Sequence, residues 1–523
     1  MTGTQPHVAI IGGGITGLAA AYFLQEAARE RGRPVAITLL EASHRLGGKI
    51  LTERVDGYCI EAGPDSFLTR KPWARLLAER LGLGDELVPI DPRHRRTFIL
   101  KDGRLHPIPE GLFMFVPLSL GGLVRSRLFT PWGKARMALE PFVPRGPAGD
   151  ESIAAFVTRR VGREALERLA EPLLTGIYAG RAERLSILAT FPQLKEAEQR
   201  HGSLWRGLGR ARRHAGPNSS GAAGGRGGGG AAGDGTGPAT ARRTAGAGEA
   251  GDGSAFLALR GGLESLVEAL VRRLDGVTVR TGVRVTGLSP AAEEDGAPGG
   301  TSGSGGAPPP AGPGSSRPRY ALALSDGTQV RADVVIVAVP AFAAAELLAA
   351  VCLDAVPHLR AIPFVSVMTC ALGFDRADVG HPLNGSGFLV PSREGRAITA
   401  CTWVSSKWAH TAQPDQVLIR CYLGRDGEQQ VMGLPDDAVV ELVRRELREL
   451  MGIDAAPRLA RVYRWERSMP QYEVGHLERV AAVERALARH PGLLVAGASY
   501  RGVGVPDCIR QGELAAEQAL ALC

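Results

Sequence analysis

Apolar residues recur along this chain with two periods. Unbroken apolar runs at Val8–Ile11 and Val334–Val339 carry no polar alternation, so they predict strands covered on both faces of a parallel sheet. Val35–Leu40 and Leu493–Gly497 predict two further strands of this kind. Helical spacing follows Gly17, returns at 73–81 before Gly82, again at 263–274, and last from Pro506-Asp507 to about Ala521. Pro506 and Asp507 suit the first positions of that last helix. Shorter strands are expected at 58–61, 256–259, 277–280, 283–288 and 320–324, the last followed by an Asp326-Gly327 turn. Phe98–Pro107 predicts a hairpin closed by Asp102-Gly103. Residues 117–210 read as mostly helical, and 350–460 mix both periods. Parallel-type strands at both ends and in the middle of the chain imply an α/β domain that is discontinuous in sequence.

The first strand leads into Gly12-Gly-Gly14-Ile15-Thr16-Gly17. Gly12, Gly14 and Gly17 have the G-x-G-x-x-G spacing: a tight turn, room for a pyrophosphate, and close packing of helix on strand. The helix N-terminus behind it favours an anion. The second strand ends on Glu41, which suits a ribose hydroxyl. Beyond it, Arg45-Leu-Gly47-Gly48-Lys49 brings the backbone near the same ligand again and places two cations beside its phosphates. This stretch resembles the extended motif of FAD enzymes in the amine oxidase superfamily. No second strand–glycine–helix fingerprint for NAD is found, which points to oxygen or a carrier as electron acceptor.

Composition narrows the classes. The 523 residues are 44% hydrophobic and 22% charged, with a net charge of +8. Residues 211–253 hold 15 glycines and no Val, Ile, Leu or Phe; 291–319 are Gly/Pro/Ser-rich and equally free of them. Neither can offset its chain entropy by burial, so both read as disordered insertions. Without them the charge is about +7, suited to an anionic substrate or an acidic membrane surface. No basic stripe interleaved with aromatics suggests nucleic acid. Seven scattered cysteines without a C-x-x-C pair, and no leader before the first strand, predict a reduced cytoplasmic protein. The histidines show no metal-ligand spacing, and no metal is expected. Gly111–Val124, followed by Arg125 and Arg127, is too short to span a bilayer; it is either a peripheral contact with the inner face of the cell membrane or a core or channel segment.

Several motifs together carry a family resemblance: 7–18, 41–49, Gly63-Pro64-Asp65-Ser66-Phe67, Glu171–Gly180, Ser468-Met-Pro-Gln-Tyr472 and Gly497–Cys508. They resemble the oxygen-dependent protoporphyrinogen/coproporphyrinogen III oxidases, in the form typical of Gram-positive bacteria. The resemblance runs from residue 7 to the C-terminus outside the two insertions. It implies an α/β fold: a discontinuous Rossmann-like FAD-binding domain, an α+β substrate domain, and a mostly helical, membrane-associating insertion. The expected division is FAD-binding at 1–90, 254–345 and 461–523, helical at 91–210, insertion at 211–253, and substrate domain at 346–460.

The resemblance implies that a porphyrinogen loses six hydrogens in two-electron steps. Hydride would pass to flavin N5, and oxygen would reoxidise the flavin to give peroxide; no side chain is assigned as acid or base. Coproporphyrinogen III is the expected substrate, with protoporphyrinogen IX as the alternative. Partners are the porphyrinogen, O2 and the next haem-pathway enzyme. Flavin contacts carry over to Gly12, Gly13, Gly14, Ile15, Thr16, Gly17, Glu41, Ala42, Lys49, Gly63, Pro64, Asp65, Ser66, Val285, Trp465, Val503, Gly504 and Val505, joined by Arg45 from the residue reading. The substrate would lie along Thr175-Gly176-Ile177-Tyr178, with Trp408 in an apolar wall and Lys71 and Arg96 for its propionates. Thr97 stands where plant and animal members carry an arginine, which favours the more acidic coproporphyrinogen. An amine oxidase and a non-catalytic flavin-stabilised tetrapyrrole carrier are the competing readings; nothing around Cys508 matches the covalent flavin attachment segment of amine oxidases.

Overall fold

The computed structural model describes residues 5–214, 254–291 and 319–523. The insertions expected at 211–253 and 291–319 therefore lie almost wholly outside the described residues, although helix Leu204–His214 runs past the first boundary.

Five parallel strands form the first sheet, in the order Val277–Arg280, Ala36–Leu40, His7–Ile11, Val334–Val337, Leu493–Val495. His7–Ile11 is central, and its pleat divides the core. Val8 and Ile10 join the cluster beneath helices Ile15–Glu30 and Val505–Leu522, while Ala9 and Ile11 join the cluster on the opposite face. The two helices touch closely: a Cβ on Gly512 would lie 2.5 Å from the Thr16 carbonyl. The opposite face is covered by helices Ala341–Leu348 and His476–Leu487 and by a three-stranded sheet containing Val285–Pro290.

The second large sheet has seven strands, from Leu459–Pro470 through Phe364–Asp375, Gln416–Leu423, Ile398–Trp403 and Gly387–Leu389 to the hairpin Thr97–Lys101/Arg104–Pro107. All pairs are antiparallel except Gly387–Leu389 with Thr97–Lys101. Two expected boundaries differ from this arrangement. Leu459–Pro470 is one continuous strand paired to Phe364–Asp375, so a division at 460 cuts a strand of this sheet. The hairpin in the nominally helical 91–210 region forms its other edge. Both edges are paired by backbone hydrogen bonds between residues far apart in sequence, which apolar periodicity does not report.

The helical region packs around its own core of Phe115, Phe156, Leu169, Leu174 and their neighbours. Arg160, fully buried, hydrogen-bonds the Val143 carbonyl and ion-pairs with Glu140 and Glu198. Among the described residues no helix is long and apolar enough to cross a membrane. Within 111–124, Phe115, Val116, Pro117 and Leu123 are buried. Leu112, Phe113, Met114 and Leu118 are half-buried; the exposed apolar side chains of this region are Val124 at the end of the segment and Trp132, Leu139 and Phe142 beyond it.

Candidate active site

The glycine turn is a cradle. Gly12 has φ +107°, a conformation few side chains adopt, and a Cβ on Gly17 would lie 1.9 Å from the Gly12 carbonyl oxygen. Gly14 differs: a Cβ there would meet only the Gly48 Cα, at 3.9 Å, so the space in front of it is open. Glu41 ties the turn to the second glycine loop. The Gly13 N–H donates to its Oε2 at 2.7 Å, and the Ser43 N–H and hydroxyl donate to Oε1 at 2.8 Å. The Gly47 N–H closes the loop on the Gly13 carbonyl at 2.8 Å. Ala42 is exposed beside it, Ile15 is half-buried and Thr16 is buried. Arg45 does not reach out toward a phosphate. Its guanidinium donates to the carbonyls of Leu46, Gly48 and Ile50 and clasps its own loop.

Lys49 points inward and donates to the Ser468 carbonyl. Burial pushes its ammonium below the usual lysine range. Its backbone touches the next loop, where a Cβ on Gly63 would lie 2.0 Å from the Lys49 carbonyl oxygen. The Trp465 indole N–H donates to the Ala62 carbonyl at 2.9 Å, and its ring edge lies 3.7 Å from the same Gly63 position. Pro64 is half-buried, and the Ser66 hydroxyl donates to Asp65 Oδ1 at 2.6 Å. Val285 is buried at the start of its strand, on the far side of the parallel sheet.

The Gly63–Ser66 loop is held from below by a residue the sequence reading missed. Arg420, in strand Gln416–Leu423, donates to the carbonyls of Glu61 at 2.5 Å and Gly63 at 3.1 Å and to the Tyr422 hydroxyl, and pairs with Asp65 at 3.1 Å. Lys407 reaches the same carboxylate at 3.2 Å. Burial alone would raise the Asp65 carboxyl, but Lys407 and Arg420 hold it well below the usual range. Glu61 is the opposite case: burial raises its carboxyl to about 7 despite hydrogen bonds from the Leu263 N–H and the Thr52 hydroxyl. The signal for Arg420 was present, since a charge amid the apolar run Val417-Leu-Ile-Arg-Cys-Tyr-Leu is rarely buried without partners.

The start of the last helix docks onto this cradle. The buried Cys508 thiol lies beside Thr16, and a Cβ on Gly497 would lie 3.5 Å from the Thr16 hydroxyl. The Tyr472 hydroxyl donates to the Ala498 carbonyl at 2.6 Å and accepts from the Gly502 N–H at 2.8 Å, fixing the approach to Val503-Gly504-Val505. Val503 packs against the helical core, which joins the flavin-type segment to the substrate-type one.

The substrate candidates divide. Thr175 is buried and donates to Glu171 at 3.3 Å; Gly176 faces Leu389 and Ile177 is exposed. These residues end a helix preceded by a π-helical turn, Leu166–Ala170, and followed by Ala179 in left-handed geometry, φ 52°. Lys71 is already paired, with Nζ 2.6 Å from both oxygens of Asp507. Arg96 is exposed beside the seven-stranded sheet, its carbonyl accepting from the Ser386 N–H at 2.7 Å. Trp408 is 1% exposed among Tyr58, Ile60 and Leu418, with the Lys407 ammonium 5.1 Å from its ring centroid; it is a core residue and no wall of an open site.

A parallel nucleotide-binding sheet with an open glycine cradle, joined to the helical region at the N-terminus of the last helix, defines a dinucleotide-dependent oxidoreductase. The model of the flavin containing amine oxidoreductases matches residues 15–520. The chain is 38% identical over 522 residues to the coproporphyrinogen III oxidase of Bacillus subtilis, with 99% of each chain covered. It is 31% identical to human protoporphyrinogen oxidase, covering 98% of each. A solved structure from Exiguobacterium sp. 255-15, described as a candidate protoporphyrinogen oxidase, superposes with a TM-score of 0.78 at 33% identity and covers 98% of each chain. The chain belongs to the flavin containing amine oxidoreductase family. FAD fits the residues present: the space before Gly14 is open on the side a pyrophosphate would occupy, and the desolvated Lys49 ammonium has one backbone carbonyl as its hydrogen-bond acceptor.

Proposed function

We propose that this chain is an FAD-dependent oxidase that converts coproporphyrinogen III to coproporphyrin III with O2 as acceptor, in haem biosynthesis. The observation that carries this is the meeting of three elements at the start of the last helix. The Gly502–Cys508 segment lies there with Cys508 beside Thr16, Asp507 on Lys71, and Val503 against the helical core that holds Leu174 and Tyr178. The full-length identity to the Bacillus subtilis enzyme supports the substrate.

FAD supplies the two-electron acceptor when bound. The chain's residues do the rest. Gly12–Gly17, Glu41 and Lys49 would hold the dinucleotide, while Arg420 and Asp65 stiffen the loop beneath it. The buried Tyr178 and Tyr472 and the half-buried Trp465 limit water on the side where substrate would sit.

Anaerobic mixing with coproporphyrinogen III is expected to bleach the flavin, and admission of oxygen to restore it with release of peroxide and porphyrin fluorescence. Parallel reactions with protoporphyrinogen IX should be slower. Faster turnover of protoporphyrinogen IX would reverse the substrate choice, and oxidation of an amine with neither porphyrinogen consumed would end the proposal.

For the membrane contact, Trp132, Leu139 and Phe142 support a site on helix Pro131–Ala138 and the turn after it, near Arg125 and Arg127. Each such side chain contributes roughly 1.5–3 kcal/mol on leaving water. Replacing all three by Glu is expected to abolish co-sedimentation with anionic vesicles while leaving flavin content unchanged. Equal sedimentation of wild type and variant would remove the contact from the reading.

A further inference from the structure

Lys71 and Asp507 form an ion pair whose place and exposure do not suit a purely structural role. Both Asp507 oxygens lie 2.6 Å from Lys71 Nζ, yet the Lys71 side chain is 34% exposed and that of Asp507 only 12%. Asp507 lies in the first turn of helix Val505–Leu522, where the positive end of the helix dipole favours a carboxylate with or without a cation beside it. Gly502, with φ +107°, leaves room for it: a Cβ there would lie 2.5 Å from Asp507 Cγ. Lys71 is a point charge on a flexible stem, able to change partners where a forked guanidinium would be fixed. Tyr178, at the end of the substrate-type helix, lies within electrostatic reach of both Asp507 and Arg70. Asp507 is therefore the enclosed member of this pair, fixed on a helix, and Lys71 the more exposed one, on a flexible stem.

We propose that Asp507 is a counter-charge that parks Lys71 at the start of the last helix, and that a carboxylate of the bound tetrapyrrole draws Lys71 away from it. The inference rests on the tetrapyrrole reading above. Asp507 is then a positioning residue that competes with the ligand for one cation. The competition raises the cost of recruiting Lys71 for any anion, and the positive end of the helix dipole steadies Asp507 once the ammonium has left.

The competition gives the two partners opposite signs. With flavin-loaded enzyme and coproporphyrin III as probe, read by quenching of its fluorescence, Lys71→Met is expected to weaken binding by roughly tenfold, the scale of a hydrogen bond to a charged group. Asp507→Asn is expected to tighten it by about threefold or more, the scale of a solvent-accessible ion pair. Asp507→Glu should restore the wild-type affinity. None of the three substitutions should change binding of coproporphyrin III tetramethyl ester in mild detergent.

A structural role for Asp507 predicts weaker binding in Asp507→Asn, and either weaker or unchanged binding overturns the proposal. Flavin absorbance reports loading in each variant. If Asp507→Asn loses flavin, Asp507→Ser takes its place; loss in both makes Asp507 structural and also overturns the proposal. A wild-type enzyme that neither oxidises coproporphyrinogen III nor binds coproporphyrin III would instead show that the tetrapyrrole reading has failed.

Discussion

Gly14→Val is expected to give folded, colourless protein. Gly14 has φ −71° and ψ 177°, extended backbone that any residue adopts, so the substitution brings no strain. Its Cβ would touch only the Gly48 Cα at 3.9 Å, so the fold without ligand accommodates it. The branches would instead fill the space left for the pyrophosphate. The far-ultraviolet spectrum should match that of flavin-stripped wild type, with no visible flavin absorbance after purification. A yellow, fully loaded Gly14→Val protein would place the cofactor elsewhere. Gly17→Ala, two positions inside the helix from Gly14's neighbour Ile15, is expected to fail differently. Its Cβ would lie 1.9 Å from the Gly12 carbonyl oxygen, and relief requires helix Ile15–Glu30 to move off its strand. Overpacking of this kind costs about 1–3 kcal/mol or more. Its thermal midpoint should fall even in excess FAD, whereas that of Gly14→Val should match stripped wild type at any FAD concentration.

Arg420→Met is expected to have the second large effect. The substitution leaves the largely enclosed Asp65 with Lys407 as its remaining cation beside the Ser66 hydroxyl, and strands the carbonyls of Glu61 and Gly63. Breaking a buried pair by removing one partner costs about 3–5 kcal/mol. Arg420→Lys should recover little, because one ammonium cannot reach two carbonyls, a hydroxyl and a carboxylate that lie in different directions. Asp65→Asn in the Arg420→Met background should recover part of the loss by removing the stranded charge. Urea unfolding of the four proteins measures the stability term, and the rate of FAD release measures the loop. Equal FAD release in wild type and Arg420→Met would mean that the Gly63–Ser66 loop does not depend on the arginine.

Much of the dinucleotide half was legible because its signals are local. A strand, a glycine turn and a helix follow one another within Val8–Glu30, and the G-x-G-x-x-G spacing reports itself within six residues, although only Gly17 has its tight contact inside the turn, on the Gly12 carbonyl. The unbroken run Val334–Val337 announced a doubly covered strand, and all four of its residues are buried. The substrate half was less legible. The distant partners of Leu459–Pro470 and of the hairpin at 97–107 come from backbone pairing that either apolar pattern would permit. Trp408 shows the same limit for a side chain. Large and apolar, it reads alike as a cavity wall or as core, and only its neighbours Tyr58, Ile60 and Leu418 decide.

The sequence by itself determined a flavin-type nucleotide cradle, a parallel sheet assembled from both ends of the chain, and a family. These depend on short-range spacing, where a glycine or an apolar run has one physical use. Only the tertiary structure decided how charges are employed. Arg45 became a loop clasp, Lys49 a desolvated cation, Arg420 the support of a distant loop, and Lys71 one half of a pair with Asp507. An arginine or lysine reaches several ångströms in any direction, and its role is set by which acceptor the fold places within that reach.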